Sequence, residues 1–383
     1  GASISALWIL IANAWMQHPV GMEFDPAQMR NVMDDFWAVV LSPVAIHKFF
    51  HAVMSGWVLS GVFVTGISAW FMLRRRNHAM AISSIKVASA VGAIGMLGTL
   101  WSGDGSAVDV ARVQPMKLAA MEGLYDGSCR QAISAFGILN PDKKPGDDKP
   151  AFLFNISIPA GLSILATHSV DGFVPGINDL IEGRAVSPAG DTVKTESYAQ
   201  RIAAGQRAQN ALRRYDAARK EGDTAAMTQA AAELKADFDN FGYGYLQSPD
   251  QAVPPVAVTY YAFHIMVIAG GFLCLVLALT LWGAFRRNDL LTKRWYILIA
   301  IASIPIVWIC SEAGWVTAEV GRQPWIIEGL MPVQAAVSDI SAASVQTTFW
   351  MFAAVFTAFL AAEICIMTRQ LRKGAQTDFE NEK

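Results

Sequence analysis

The 383-residue sequence is poor in charge and in reactive signatures. Only 16% of its residues are Asp, Glu, Lys or Arg, against 53% hydrophobic, and its mean hydropathy is +0.33. That balance excludes disorder and an ordinary water-soluble domain. The net charge of -2 provides no global basic field, which argues against nucleic acid as a partner. Four cysteines, Cys129, Cys274, Cys310 and Cys365, stand far apart without CxxC spacing, so neither a zinc site nor a disulfide framework is indicated. There is no phosphate-binding Gly loop, no GxSxG and no HExxH, so hydrolytic and nucleotide-driven chemistry lack support. What is plentiful is Trp, with 12, and Met, with 15; indole favours membrane interfaces and the soft thioether suits cofactor pockets.

The hydrophobic residues fall in long runs. A spanning helix needs about 20 apolar residues, and five segments qualify: Phe49 to Leu73, Met80 to Trp101, Val256 to Phe285, Trp295 to Val320 and Ser344 to Met367. The fourth is the weakest, with Pro305 inside it and two carboxylates, Glu312 and Glu319, which lipid penalises unless they serve a site. Ala2 to Trp15 is apolar but short at its front, with no basic segment before it. It reads as the end of a longer helix rather than a signal peptide, and the sequence is expected to be an N-terminally truncated piece. Basic residues gather at Arg74 to Arg76, at Arg286, Arg287, Lys293 and Arg294, and at Arg369, Arg372 and Lys373. With alternating spans all three clusters share one side, which the positive-inside rule makes cytoplasmic.

The fold expected is therefore an all-α polytopic membrane protein with a large extracytoplasmic loop domain. Its parts are a truncated helix at 1–17, an interfacial connection at 18–48, two spans within 49–103, the loop domain at 104–255, two spans within 256–320, an outer connection at 321–343, a last span at 344–368 and a tail at 369–383. The loop domain is Pro- and Gly-punctuated up to about Gly176. From Glu196 to Phe241 it is Ala-rich and charge-laced, the pattern of exposed helices.

Of six histidines only His51 and His264 lie within spans. With a helix starting just after Pro43, His51 sits about eight residues deep, and Met266 about ten residues deep in a span of the same direction; at about 1.5 Å per residue both lie ~10 to 15 Å below the outer surface. Two helices offering His and Met at one depth is the arrangement of a His/Met-ligated haem. His264 competes with Met266, yet the two point roughly 200° apart, so one haem cannot use both. His47 and His51, four apart, could pair on a metal, although His47 reads better as an interfacial residue. Glu312, Trp315, Glu319 and Arg322 are spaced 3, 4 and 3 apart and share one helical face. The reading open there is either an Arg322–Glu319 ion pair or a site with Glu319 as an iron ligand and Arg322 pairing an anionic group such as a propionate.

Several runs resemble one family, subunit I of cytochrome bd quinol oxidases. They are SALWILIANAWMQHPVG from Ser5 to Gly21, KFFHAVMSGW from Lys48 to Trp57, MKLAAMEG from Met116 to Gly123, AFHIMV from Ala262 to Val267, and EAGWVTAE with GRQPW from Glu312 to Trp325. They occur in family order along essentially the whole chain. The resemblance implies that His51 and Met266 are the axial ligands of a low-spin haem b and that Glu319 is the acid at a high-spin haem b. Trp315, Arg322 and Glu312 would belong to the haem cluster, and Lys117 with Glu122 to the quinol-oxidising Q-loop. His264 stands where the family usually has an Arg beside the low-spin haem, and His18 where it usually has an Asn. Haem d is implied as the third cofactor, its site completed by helices ahead of Gly1, so that this piece alone lacks the full oxygen site.

The expected partners are ubiquinol or menaquinol, O2, subunit II with small accessory subunits, and the lipid bilayer of the bacterial cytoplasmic membrane. The expected activity is quinol oxidation on the outer side and O2 reduction to water with protons from inside, which builds a proton motive force without a pump. Two other readings compete, a haem b subunit that only passes electrons and a transporter relaying protons through Glu312, Glu319 and Glu363. The transporter predicts an inverted repeat, and the two halves show none.

Overall fold

In the computed structural model, residues 1–25, 28, 30–186 and 191–373 are described; the expected tail beyond residue 373 lies outside them. The protein is mostly helical, and five of the described helices are long and apolar enough to cross a membrane. The chain divides into two compact units, one made of Gly1–Leu59, Ile94–Cys274 and Pro305–Ala336, the other of Ser60–Ala93, Leu275–Ile304 and the chain from Val337 on.

In the first unit, helix α1 (Ala2–Gln17) is followed by a hairpin of β1 (Met22–Asp25) and β2 (Arg30–Met33) and by the short helix α2 (Phe36–Val40). Helix α3 (Pro43–Leu73) then begins at Pro43, whose fixed φ suits a first helical turn, six residues ahead of the charge-free run. Helix α4 (His78–Val113) continues well past Trp101. Pro115 opens α5 (Pro115–Glu122), and Gly123 closes it at φ 60°. Every residue of α5 from Met116 to Glu122 is buried, so this helix is core rather than the solvated face its Lys and Glu suggest by themselves.

The front of the loop segment holds short two-stranded sheets, which its Pro and Gly content had concealed. The longest pairs β4 (Ile133–Leu139) with β5 (Phe152–Ile158) in antiparallel register, after the short β3 (Ser128–Cys129). Then come α6 (Gly161–Thr167), β6 (Phe173–Val174), α7 (Ile177–Glu182), β7 (Arg184–Val186) and β8 (Thr192–Lys194). The Ala-rich stretch forms two helices, α8 (Tyr198–Glu221) and α9 (Thr224–Asp237). Ser197 and Gln200 make a capping box for α8, and Asp223 caps α9 by accepting from Ala225 and Ala226; caps of this kind are worth about 1 kcal/mol each.

Pro254 and Pro255 hold off the next helix until α10 (Val256–Arg286). After the short α11 (Asn288–Leu291), helix α12 (Arg294–Val320) runs through Pro305 and leads to a small hairpin of β9 (Trp325–Ile327) and β10 (Met331–Pro332). The hairpin is held by Gly242 N–H on the Gly329 carbonyl at 2.8 Å and by Trp325 packed on Tyr243 with ring centroids 4.7 Å apart. Met116, Tyr125, Ile177, Tyr198 and Tyr243 join Trp325 in one core. Truncating a side chain such as Ile177 there costs about 2–5 kcal/mol.

The second unit packs parts of the long helices on one another. Ala69, Ile85, Leu291, Tyr296 and Ala300 form its core, and the Tyr296 hydroxyl donates to Thr280 Oγ1 at 3.0 Å. Gly61 lies so near Gly92 that a Cβ would come within 2.7 Å of the Gly92 Cα, the close backbone approach that small residues permit between membrane helices. The last helix, α13 (Ala342–Lys373), has no buried residue.

Candidate functional site

All the candidate residues fall in the first unit. From the starts of α3 at Pro43 and α10 at Val256, His51 lies eight and Met266 ten residues in, about 12 and 15 Å of helical rise. His51 Nδ1 is 3.3 Å from Ser102 Oγ. The Ser102 hydroxyl spends its one proton on the Gly98 carbonyl at 2.7 Å, so toward His51 it accepts. In that arrangement Nδ1 carries the ring proton and Nε2 keeps a free lone pair, the tautomer control that metal-bound histidines need.

Met266 Sδ rests against α12 where residue 314 is glycine, since a Cβ there would approach it to 3.0 Å. Four and five residues beyond Met266, Gly270 and Gly271 leave the α10 backbone uncovered: an added Cβ would meet its nearest neighbour at 4.0 Å at the first and nothing within 4 Å at the second. A flat macrocycle can lie on such a backbone. Arg322 adds a buried Nε with no hydrogen-bond partner, a donor suited to a propionate. These residues fit a haem.

His47 and His51 have different protein partners. His47 Nδ1 bonds Asp109 Oδ2 at 2.6 Å and its ring meets Trp101 edge-on, and no group of three or more His, Cys, Asp or Glu among the described residues could hold a metal ion. His264 has backbone partners instead. Its Nδ1 is 2.9 Å from the Tyr260 carbonyl and its Nε2 2.9 Å from that of Ser134, which ties α10 to β4.

The stripe on α12 divides. Glu312 and Trp315 are exposed, whereas Glu319 and Arg322 turn inward and form an ion pair at 2.7 Å. Glu319 Oε1 also accepts from Asn13 Nδ2 at 3.1 Å. Asn13 Oδ1 in turn accepts from Lys48 Nζ at 2.6 Å and from Gln17 Nε2 at 3.1 Å. Gln17 Oε1 accepts from Lys117 Nζ at 3.3 Å, and the same ammonium donates to the Ala318 carbonyl at 3.1 Å. One polar net thus runs from Glu319 to Lys117. Burial drives the Lys117 ammonium down to about 8, with Glu328 and Glu319 pulling it back up.

Glu122 is five residues after Lys117, about 140° around α5, and does not share this net. Both its carboxylate oxygens are buried without a hydrogen-bond partner. Burial raises it to about 8, against a smaller opposing effect of the Ser134 backbone. A buried, unpartnered acid inside a packed helix costs stability, and such groups concentrate at functional sites.

Asn13, Gln17, Lys48, Gln114 and Glu328 escaped the sequence reading. Gln114 Nε2 donates to Glu328 Oε2 at 2.9 Å, and the Glu328 N–H reaches the Met16 carbonyl at 2.9 Å. The overlooked signal was Asn13 and Gln17 themselves, two amides four apart in an apolar helix, where polar groups need partners.

The sequence pattern of the family described as "Cytochrome bd terminal oxidase subunit I" matches residues 1–375. The chain is 36% identical to "Cytochrome bd-II ubiquinol oxidase subunit 1" of Escherichia coli (strain K12), over 98% of this chain and 71% of that one. It is 29% identical to "Cytochrome bd ubiquinol oxidase subunit 1" of Bacillus subtilis (strain 168), over 99% of this chain and 67% of that one. In fold it is similar to the bd oxidase structure from Geobacillus thermodenitrificans, with a TM-score of 0.71 at 24% identity, covering 98% of this chain and 68% of that one.

Proposed function

The chain belongs to the cytochrome bd terminal oxidase subunit I family, and from that membership we propose how its residues divide the work of a terminal quinol oxidase in the bacterial cytoplasmic membrane. His51 and Met266 hold a low-spin haem b, Glu319 stands at a high-spin haem b, and Arg322, Trp315 and Glu312 belong to the same haem cluster. Haem d, subunit II and small accessory subunits complete the complex. When bound, the haems supply the one-electron chemistry that connects quinol oxidation to the reduction of O2 to water.

The protein's own residues bind quinol, ubiquinol or menaquinol, and manage its protons. Glu122, buried and unpartnered, offers a carboxyl group to a quinol hydroxyl, and Lys117, about 140° around α5, offers a donor at the head of the net toward Glu319. Ser102 fixes the His51 tautomer, and Asn13 positions Glu319. Protons released at Lys117 and Glu122 leave on the outer side, while those consumed by O2 enter from inside, so turnover charges the membrane without a pump.

The observation that carries this reading is the continuous net from Lys117 through Gln17 and Asn13 to Glu319, which runs between the residues assigned to quinol and to the high-spin haem. Its test is a reduced-minus-oxidised visible spectrum of the full complex beside its His51→Ala variant. Loss of the low-spin haem b band in the variant is expected. A parent complex without haem, or an unchanged variant spectrum, overturns the assignment.

A further inference from the structure

Beyond Lys117 the polar residues continue outward. Lys117 follows Gln114 by one turn, and the Gln114 amide holds the Glu328 carboxylate at 2.9 Å. Gln114 and Lys117 are buried at 4% and 6% exposure, whereas Glu328 is half-buried. Arg201 comes next. Its guanidinium lies 5.5 Å from the ring centres of both Tyr198 and Tyr243 and donates to the Tyr243 hydroxyl at 3.3 Å. Its Nε is buried with no hydrogen-bond partner, and its Nε lies 3.9 Å from Glu196, an exposed acid that also accepts from Asn240. Exposure therefore rises from the buried Gln114 and Lys117, through the partly buried Glu328 and Arg201, to the exposed Glu196. The charged and titratable groups that act on Glu328 are Lys117 from α5, Arg201 with Tyr198 and Tyr243 from the loop domain, and Arg322 from the turn after α12.

We propose that Glu328 is the proton carrier by which a proton leaves the quinol site, taken up from the Lys117 side and released to water along the Arg201–Glu196 face. This rests on the reading that quinol is oxidised at Lys117 and Glu122. Oxidation of one quinol to quinone yields two electrons and two protons; the electrons go to O2, the oxidant of the oxidase reaction. One proton breaks from a quinol oxygen and ends on the Glu328 carboxylate, which becomes a carboxylic acid, while the second leaves from the other quinol oxygen by way of Glu122 to water on the outer side. The proton on Glu328 then passes to water at the outer surface, and Arg201 stabilises the carboxylate left behind. Burial raises Glu328 to about 7, with Gln114 and the Lys117, Arg201 and Arg322 charges opposing, which lets it alternate between the two forms near neutral pH.

The test uses the complete oxidase complex in membranes. Glu328→Gln keeps an acceptor for Gln114 but cannot carry a proton. With the haem spectrum and the quinol KM unchanged, quinol-driven turnover should fall about tenfold or more, and turnover with an artificial donor that reduces the haems directly should stay at the parental rate. A rise of quinol turnover through about pH 7 is expected of the parent; it should be absent in Glu328→Gln and present in Glu328→Asp. Parental turnover with the same pH profile in Glu328→Gln overturns the proposal. If that variant fails to assemble, Gln114→Leu decides, because loss of the amide donor must move the limb to higher pH, and an unmoved limb overturns it. Glu122→Gln separates the two levels: lost turnover there with intact turnover in Glu328→Gln sinks only the carrier, while intact turnover in Glu122→Gln sinks the quinol site itself.

Discussion

Asn13 donates to Glu319 Oε1 across 3.1 Å, between residues 306 positions apart in sequence. The same amide accepts from Lys48 and Gln17, so a small neutral side chain sets both an acid and an ammonium group. Replacing it with Leu leaves Lys48 without that acceptor and Glu319 held by Arg322 alone; each hydrogen bond lost from a buried group costs about 1–3 kcal/mol. Asn13→Leu is expected to shift or weaken the high-spin haem b signal of the full complex while the low-spin band persists. An unaltered spectrum would show that Asn13 does not orient Glu319.

Ser102 makes a separable prediction about His51. If its hydroxyl sets the tautomer by accepting from Nδ1, Ser102→Ala keeps the ligand but loses its orientation, a loss worth about 10–100-fold in affinity at other metal sites. The expected result is a low-spin haem that is present at lower occupancy or shifted in midpoint potential, and a redox titration of the complex measures it. A potential and occupancy equal to the parent's would remove Ser102 from the site.

Glu122 and Lys117 impose opposite pH dependences on stability. Glu122 rises from an ordinary value of 4.5 to about 8 in the folded protein, so between these values the folded state holds a proton that the unfolded state has lost. Stability therefore falls as pH climbs through that window. Lys117 drops from 10.5 to about 8, so between 8 and 10.5 the unfolded state binds more protons and stability rises with pH. Thermal unfolding of Glu122→Gln between pH 5 and 8 should lack the downward slope expected of the parent; parallel curves would mean that Glu122 is not buried as an acid.

The five described helices long and apolar enough to cross a membrane were legible because each is an apolar run closed by arginines, prolines or a polar turn. Their onsets were legible where chemistry fixes them, as at Pro43 and at Pro254 with Pro255. The strands β4 and β5 were also written in the sequence, in ISAFGIL and FLFNISI, but the neighbouring Pro and Gly residues outweighed their β-branched and aromatic content. The polar net was not legible, since its members come from α1, α3, α5 and α12. Spacing reports only which residues share a face of one helix. For the same reason Glu312 and Glu319 read alike in the sequence, although one is exposed and the other is bound by Asn13 and Arg322.

Gly123 closes α5 at φ 60°, a conformation that costs any residue with a Cβ about 1 kcal/mol or more. Space is short there too, because a Cβ would come within 2.8 Å of Leu139 Cδ2 and 3.2 Å of the Phe152 ring. Those two side chains belong to β4 and β5, and Ser134 on β4 is the backbone neighbour of Glu122. Gly123→Ala must therefore push the hairpin away from the end of α5, beside the acid assigned to quinol. The expected outcome has two parts: a lower unfolding temperature of the complex, and a raised KM for quinol with the haem spectrum unchanged. A variant that loses stability but keeps the parental KM would uncouple the hairpin from the Glu122 site, and one that changes neither would contradict the packing around Gly123.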